Sequence, residues 1–377
     1  MKNKTKLLLL PATFMMLTAC GPAANTKIPR GYSEVDVNDN AAREAFYGKA
    51  AENVMATYEK ALTGFKVKGS FGVKELSFKN EEKYKNVPEI YKDDYKDEVE
   101  LFKITDANMD YSMGLVGLDK GINSTKAYAE IKNLGFKLEY TEDGKTKNIK
   151  ASDIDVAVYF TDGNVYFDLS DKDLKNFVNA AIDVSYSDYE GENKSQKIAD
   201  AKEEAAKYLD KLVLKDVVEN VDEVNKVLAA LPKGEVIKGY IPTIKSTLSE
   251  AFEGILKDEK TKNLIKLYND KESKGVAIGI ALTSEAVDVG EAKVSGDLVA
   301  SISCDKEGLF NSWGYAGNVN ISEYSIKTSS YYTREETTDI LISKLDFGTT
   351  MEYGENLVKL PSLDGYKDFP QIKIAIQ

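Results

Sequence analysis

The 377-residue chain has no histidine, two cysteines, one tryptophan and eight prolines. Without histidine there is no Ser/His/Asp or Cys/His nucleophile pair, no imidazole acid–base group and none of the common zinc sites. Phosphate-cradling GxxxxGK and GxGxxG loops and the GxSxG nucleophile elbow are missing as well. Carboxylate chemistry survives these exclusions, but spacing alone locates no glycosidase-like acid pair. No metal, cofactor or catalytic residue is therefore expected, and the chain is read as a non-enzyme.

Positive charge is also short: 62 Asp+Glu face 50 Lys+Arg, a net charge of -12, and only Arg30, Arg43 and Arg334 are arginine. A surface this acidic repels phosphate backbones and anionic headgroups, which argues against nucleic-acid partners and against electrostatic membrane docking. The apolar run at 7–17 is 11 residues long and contains Pro11. That is well short of the roughly 20 residues a membrane-spanning helix needs.

What is present at the N-terminus is the order of a secretory signal. Lys2, Lys4 and Lys6 precede the apolar run, and small Ala19 precedes Cys20. Cys20 could be a nucleophile, half of a disulfide, a buried small residue or an anchoring point. Leu17, Thr18, Ala19 and Cys20 resemble the lipobox of bacterial lipoproteins. That resemblance implies a diacylglycerol thioether on Cys20, cleavage just before it, and a palmitate-type anchor on the extracytoplasmic face of the cell membrane. Two acyl chains matter physically, because one chain alone holds a protein at a membrane only marginally. Removal of residues 1–19 leaves 47 Lys+Arg against 62 Asp+Glu, a net charge of -15. Cys304 is then without a cysteine partner, and it reads most simply as a small buried or edge residue.

Residues 21–40 hold prolines, glycines and no apolar period, and they predict a flexible tether. Helical spacing runs over 41–63, with Asn40 as cap and Tyr47, Ala51, Val54, Tyr58, Ala61 and Leu62 on one face. Phe65, Val67, Phe71 and Val73 then alternate with polar residues, while Leu76 and Phe78 shift to even positions, which predicts a bulge near Lys74 or Glu75. Strands are expected at 99–105, 108–118 and 124–140. Asp162-Gly163 sits between β-rich arms and predicts a hairpin turn. Leu174, Phe177, Val178, Ala181 and Ile182 give a helical stripe, with Ser170 and Asp173 as a capping box. Further helices are expected at 196–214, 217–231, 243–257 and 260–270. Strands follow at 275–284, 292–304, 308–332, 338–347 and 349–359.

The fold expected is α+β: a large, curved antiparallel sheet with a central block of helices packed on one face. Residues 1–19 are a signal peptide, 20–40 the lipidated cysteine and tether, and 41–377 one domain with strands at 65–170, helices at 171–272 and strands at 275–360.

Other motifs have bland readings beside sharp ones. Ser303 and Lys306 form S-x-x-K at the end of a strand, without the K-T-G companion of penicillin-binding enzymes. Asp93, Asp94, Asp97 and Glu98 lack the EF-hand spacing and read as a solvated charged face. The 22 tyrosines fill a core, line a pocket or face a partner. In 275–282, Val276, Ile278, Ile280 and Leu282 share a face opposite Ala277, Gly279 and Ala281, whose small side chains fit either a close helix or a cavity.

The stretch VYFTDGNVYFDLSD running into a helix, within the order helix, strands, helices, strands, resembles the LolA/LppX-like lipoproteins. That resemblance implies a concave sheet closed by helices over bound lipid chains. The expected function is thus a membrane-anchored, non-enzymatic lipoprotein that binds or carries a lipid or other apolar ligand. The alternative is an envelope interaction or scaffold lipoprotein with a solid core and an acidic, tyrosine-rich surface.

Overall fold

The structure is a computed structural model describing residues 31–142, 144–257, 264–281, 287–289, 292–297, 299–329 and 331–370. The expected signal peptide and Cys20 lie outside the described residues. In chain order the elements are β1 (Tyr32–Glu34), α1 (Asn40–Thr63), β2 (Gly64–Lys85), β3 (Glu98–Val116), β4 (Lys126–Glu142), β5 (Lys145–Thr161) and β6 (Asn164–Asp168). Next come α2 (Lys172–Ser185), α3 (Lys194–Ala206), β7 (Lys211–Leu214), α4 (Val221–Ala229), α5 (Glu235–Lys238) and α6 (Ile241–Leu256). The chain continues as β8 (Ile265–Asp270), β9 (Val276–Ala281), β10 (Val287–Val289), β11 (Ala292–Gly296) and β12 (Val299–Cys304), then β13 (Phe310–Thr328), β14 (Thr333–Tyr353) and β15 (Lys367–Asp368). This is a mixed protein whose large sheet is mostly antiparallel and does not close on itself.

Contacts divide the chain into two compact units. The first takes the chain up to Tyr58, Lys233–Ser322 and Ile342–Thr350; the second takes Glu59–Pro232, Glu323–Leu341 and the chain from Met351. Residues 41–377, expected as one domain, are thus shared between units that the chain enters more than once.

In the first unit the strand order is β1, β8, β9, β12, β13. Its core gathers Phe46, Tyr47 and Ala50 from α1, Leu256 from α6, Ile265 and Leu267 from β8, Val276 from β9 and Cys304 from β12. Tyr47 stacks on Phe252 at 6.1 Å. Arg43 donates from Nε to Glu253 at 2.6 Å, and Arg43 and Lys257 hold that carboxyl below the usual range. Two expectations are corrected here. Residues 265–270, expected as the end of a helix, form a strand: buried Ile265 and Leu267 alternate with exposed Lys266 and find partners in β9. The tether also ends earlier than residue 40, because Tyr32, Ser33 and Glu34 pair with Asp270, Asn269 and Tyr268, and Val35 is buried in the core.

The side chain of Asp39, not Asn40, caps α1, accepting from Ala41 and Ala42. A carboxylate one residue earlier reaches the free N–H groups of the first turn more directly. Ala277 and Gly279 are buried, as is Val276, while Ile278 and Ile280 pack against the core, so the small-residue side of β9 is covered.

In the second unit the order runs β14, β2, β3, β4, β5, β6, β7, β15, antiparallel except for β7 with β15. The β5–β6 hairpin turns at Asp162 and Gly163, both at positive φ (52° and 73°), as a two-residue type I′ turn requires. The next helix, α2, lies against β5, and its Phe177 meets Phe136 edge-on at 5.5 Å. Its cap is Asp171, which accepts from Asp173 and Leu174, whereas Ser170 bonds back to Asp168; the expected Ser170 capping box is therefore not formed. The expected 196–214 helix stops at Ala206, and Leu212 and Val213 are buried in β7 against β6 instead.

Asp106, Asn133 and Asp153 sit at positive φ on neighbouring strands β3, β4 and β5, where the register shifts. Short Asx side chains tolerate this region and satisfy the displaced backbone, and each such bulge adds local twist. The bulge expected near Lys74 lies across the ladder instead, at Asp106, which Lys74 and Lys137 both contact. The β2–β3 register itself is unshifted, with Val73 opposite Ala107 and Glu75 opposite Thr105.

Candidate interaction surface

The chemistry-bearing candidates from the sequence are mostly absorbed by structure. Cys304 is fully buried, and burial pushes its thiol up to about 12. Ser303 is buried and bonds to Ser312 Oγ at 2.7 Å, while Lys306 reaches out to 4.0 Å from Asp270, so S-x-x-K forms no site. A surface depression of about 160 Å³ lies along the bulges, lined by Asp106, Asn108, Lys137, Lys150 and Asp153 among others. It is polar and smaller than the roughly 300 Å³ at which ligand pockets begin. Glu336 is buried and the Glu82 side chain largely so, and Arg334 bonds both acids. An acid pair neutralised in this way has no free carboxyl for general acid–base work.

What is built instead is an aromatic tip on the second unit. The loop after β2, containing a short 3-10 turn (Glu89–Tyr91), faces the β13–β14 hairpin. Tyr84, Tyr95 and Tyr332 pack on one another at centroid distances of 5.5, 5.5 and 4.5 Å, and Tyr91 meets Tyr331 at 5.9 Å. Outside this platform Ile90 is 80% exposed, Tyr331 58% and Tyr91 37%. Tyr324 and Ile326 of β13 are also more than half exposed. Exposed singly, such residues are ordinary; gathered at one tip they make it the candidate interaction surface.

The tip is anchored from below. Tyr84 Oη donates to Glu82 at 3.1 Å, and burial followed by this bond raises the phenol's pKa. Arg334 clamps Glu82, Lys85 donates to Glu335 at 2.6 Å, and the Tyr84 N–H bonds to Asp97 Oδ1 at 2.9 Å. Asp93, Asp94, Asp97 and Glu98 thus belong to the rim of this tip, and Asp97 ties the loop to β2. Among the described residues no cluster of three or more acidic, histidine or cysteine side chains is arranged to hold a metal.

A second aromatic set lies on the first unit, where Tyr315 stacks on Phe347 at 4.7 Å and Trp313 at 6.5 Å, with Trp313 46% exposed. No sequence period joins Tyr84, Tyr91 and Tyr95 to Tyr331 and Tyr332. The available signal was Tyr91, Tyr95 and Ile90 inside a charged loop that has no helix or strand period to bury them.

No family model matches the chain, and no curated protein matches it. Among solved structures the chain is similar to the outer membrane protease OmpT from Escherichia coli, at 7% identity over 77% of this chain and 97% of that one, with a TM-score of 0.13.

Proposed function

We propose that the protein is a non-enzymatic envelope lipoprotein, anchored through a lipid on Cys20 at the extracytoplasmic face of the cell membrane, that engages a partner through its tyrosine tip. The single observation carrying this reading is the tip itself: a packed trio of Tyr84, Tyr95 and Tyr332 and a Tyr91–Tyr331 pair, held by an Arg334–Glu82–Tyr84 network, with apolar residues left open to solvent. Tyrosine and arginine are the residues that dominate recognition surfaces, because they offer large rigid contact area at low entropic cost. The bulges at Asp106, Asn133 and Asp153 support a curved sheet, and α2 against β5 supports helices closing one of its faces. Phe136 and Phe177 meet edge-on at that sheet–helix junction, a direct packing contact that supports the interaction reading over a carrier that stores acyl chains there.

The test is sedimentation of the chain comprising residues 21–377 with isolated bacterial envelopes. The Tyr91→Ala/Tyr331→Ala variant, both sites being exposed, should melt like the parent yet bind at least tenfold more weakly. Equal binding by parent and variant would remove the tip from the account.

A further inference from the structure

We infer that the tip recognises a cationic protein segment, rich in arginine and carrying apolar side chains. This rests on the reading that the tip is the interaction surface, and it follows from the tip's charge balance and ring packing.

Tyr84, Tyr95 and Tyr332 touch one another at 4.5 to 5.5 Å, so they form a solid platform with no room for a group inserted between them. A partner must lie across the outer rings, Tyr91 and Tyr331, and beside Ile90. Over the loop 86–98 there are five carboxylates (Glu89, Asp93, Asp94, Asp97, Glu98) against Lys92 and Lys96. Lys92 is paired with Glu89, and Lys96 lies 3.9 Å from Asp93. The cations of the facing elements are also engaged: Arg334 by Glu82 and Glu336, Lys85 by Glu335, Lys327 by Glu336.

Excess negative charge therefore stays on the loop. Among the described residues Asp94 and Glu98 make no side-chain hydrogen bond or ion pair. Glu82, directly opposite Glu98 on the β2–β3 ladder, is already engaged by Arg334, so the charge of Glu98 is left for a cationic partner.

Aromatic faces attract cations through the ring quadrupole, and guanidinium groups stack on tyrosine while bonding carboxylates two at a time. Rings and rim thus select the same chemistry. An anionic membrane or a phosphate-rich polymer would be repelled by the rim, and a neutral glycan would use the rings but gain nothing from the carboxylates.

Fluorescence anisotropy of residues 21–377 tests this with four probes. They are a labelled eight-residue peptide of alternating arginine and leucine, its glutamate counterpart, a neutral N-acetylglucosamine hexasaccharide, and vesicles containing phosphatidylglycerol. The arginine peptide should bind, lose affinity as salt rises from 0.05 to 0.3 M, and bind at least tenfold more weakly to both Tyr91→Ala/Tyr331→Ala and Asp93→Asn/Asp94→Asn. The second pair changes exposed carboxylates only and so guards against a folding defect. An arginine peptide that does not bind, or binds all three proteins alike, overturns the inference, as does preference for the hexasaccharide or the vesicles. In those cases envelope sedimentation decides separately whether the tip reading stands: it does if the tyrosine variant still fails to sediment, and falls if it sediments like the parent.

Discussion

Gly308→Ala should open the first unit's core, and Cys304 reports it. Gly308 ends the Asp305–Gly308 turn between β12 and β13 at φ 87°, where any other L-residue is strained by about 1–2 kcal/mol. A Cβ there would collide with Asn53 Oδ1. Asn53 is itself buried and donates from Nδ2 to Lys274 O at 2.8 Å. Displacing that amide leaves a buried polar group unsatisfied, at about 1–3 kcal/mol. The combined loss is about 2–5 kcal/mol, which multiplies the open population roughly 30-fold or more at tenfold per 1.4 kcal/mol.

In residues 21–377 the only thiol is Cys304. Its pKa, pushed up to about 12, leaves roughly one thiolate in ten thousand at pH 8, against about a quarter for an exposed cysteine of pKa about 8.5. Labelling with a thiol-reactive disulfide should therefore be some three orders of magnitude slower in the native parent than in urea, and markedly faster in Gly308→Ala. If the variant keeps the parent's urea midpoint and its thiol stays as slow, the close approach of Gly308 to Asn53 is not what holds this corner.

Three further outcomes are expected. Cys20→Ala should move the protein from the membrane fraction to the soluble fraction, with loss of the acyl mass on the N-terminal peptide; continued membrane retention would count against the anchor. Asp171→Ala removes the acceptor for the Asp173 and Leu174 N–H groups and should cost about 1 kcal/mol in a urea titration, whereas Ser170→Ala should cost little. Asp106, held at about 2 by hydrogen bonds from Lys137 and Lys74, contributes stability that is fully present above its ordinary value near 3.8 and is lost as pH falls through about 2. The gap in urea midpoint between parent and Asp106→Asn should be steady near neutrality and close between about pH 4 and pH 2. A gap indifferent to pH would mean the two lysines do not act through that carboxylate.

What could be read from the sequence was set by local physics. The Asp162-Gly163 turn is legible because both residues tolerate positive φ, and the α2 stripe because five apolar residues repeat at helical spacing. The helix caps were displaced by one residue at both α1 and α2, since neighbouring Asp and Ser or Asn side chains compete for the same N–H groups and only geometry selects among them. Short β7 and β8 were hidden because four to six residues after a helical pattern are read with it, and their strand state comes from partners distant in sequence, β6 and β9. Bulge placement was not legible: the change of alternation after Val73 is in β2, but the register shift falls at Asp106 in β3, between β3 and β4. The tip was the least legible, because Tyr84, Tyr95 and Tyr332 are joined across more than 200 residues and carry no shared period.

Tyrosine nitration footprinting tests the tip most directly. Free residues 21–377 should nitrate readily at exposed Tyr91, Tyr331 and Tyr240. After binding to envelopes, modification at Tyr91 and Tyr331 should fall at least fivefold while Tyr240, on the first unit, is unchanged. Equal nitration of Tyr91 and Tyr331 in the free and envelope-bound protein would contradict the claim that this tip is where the protein meets its partner.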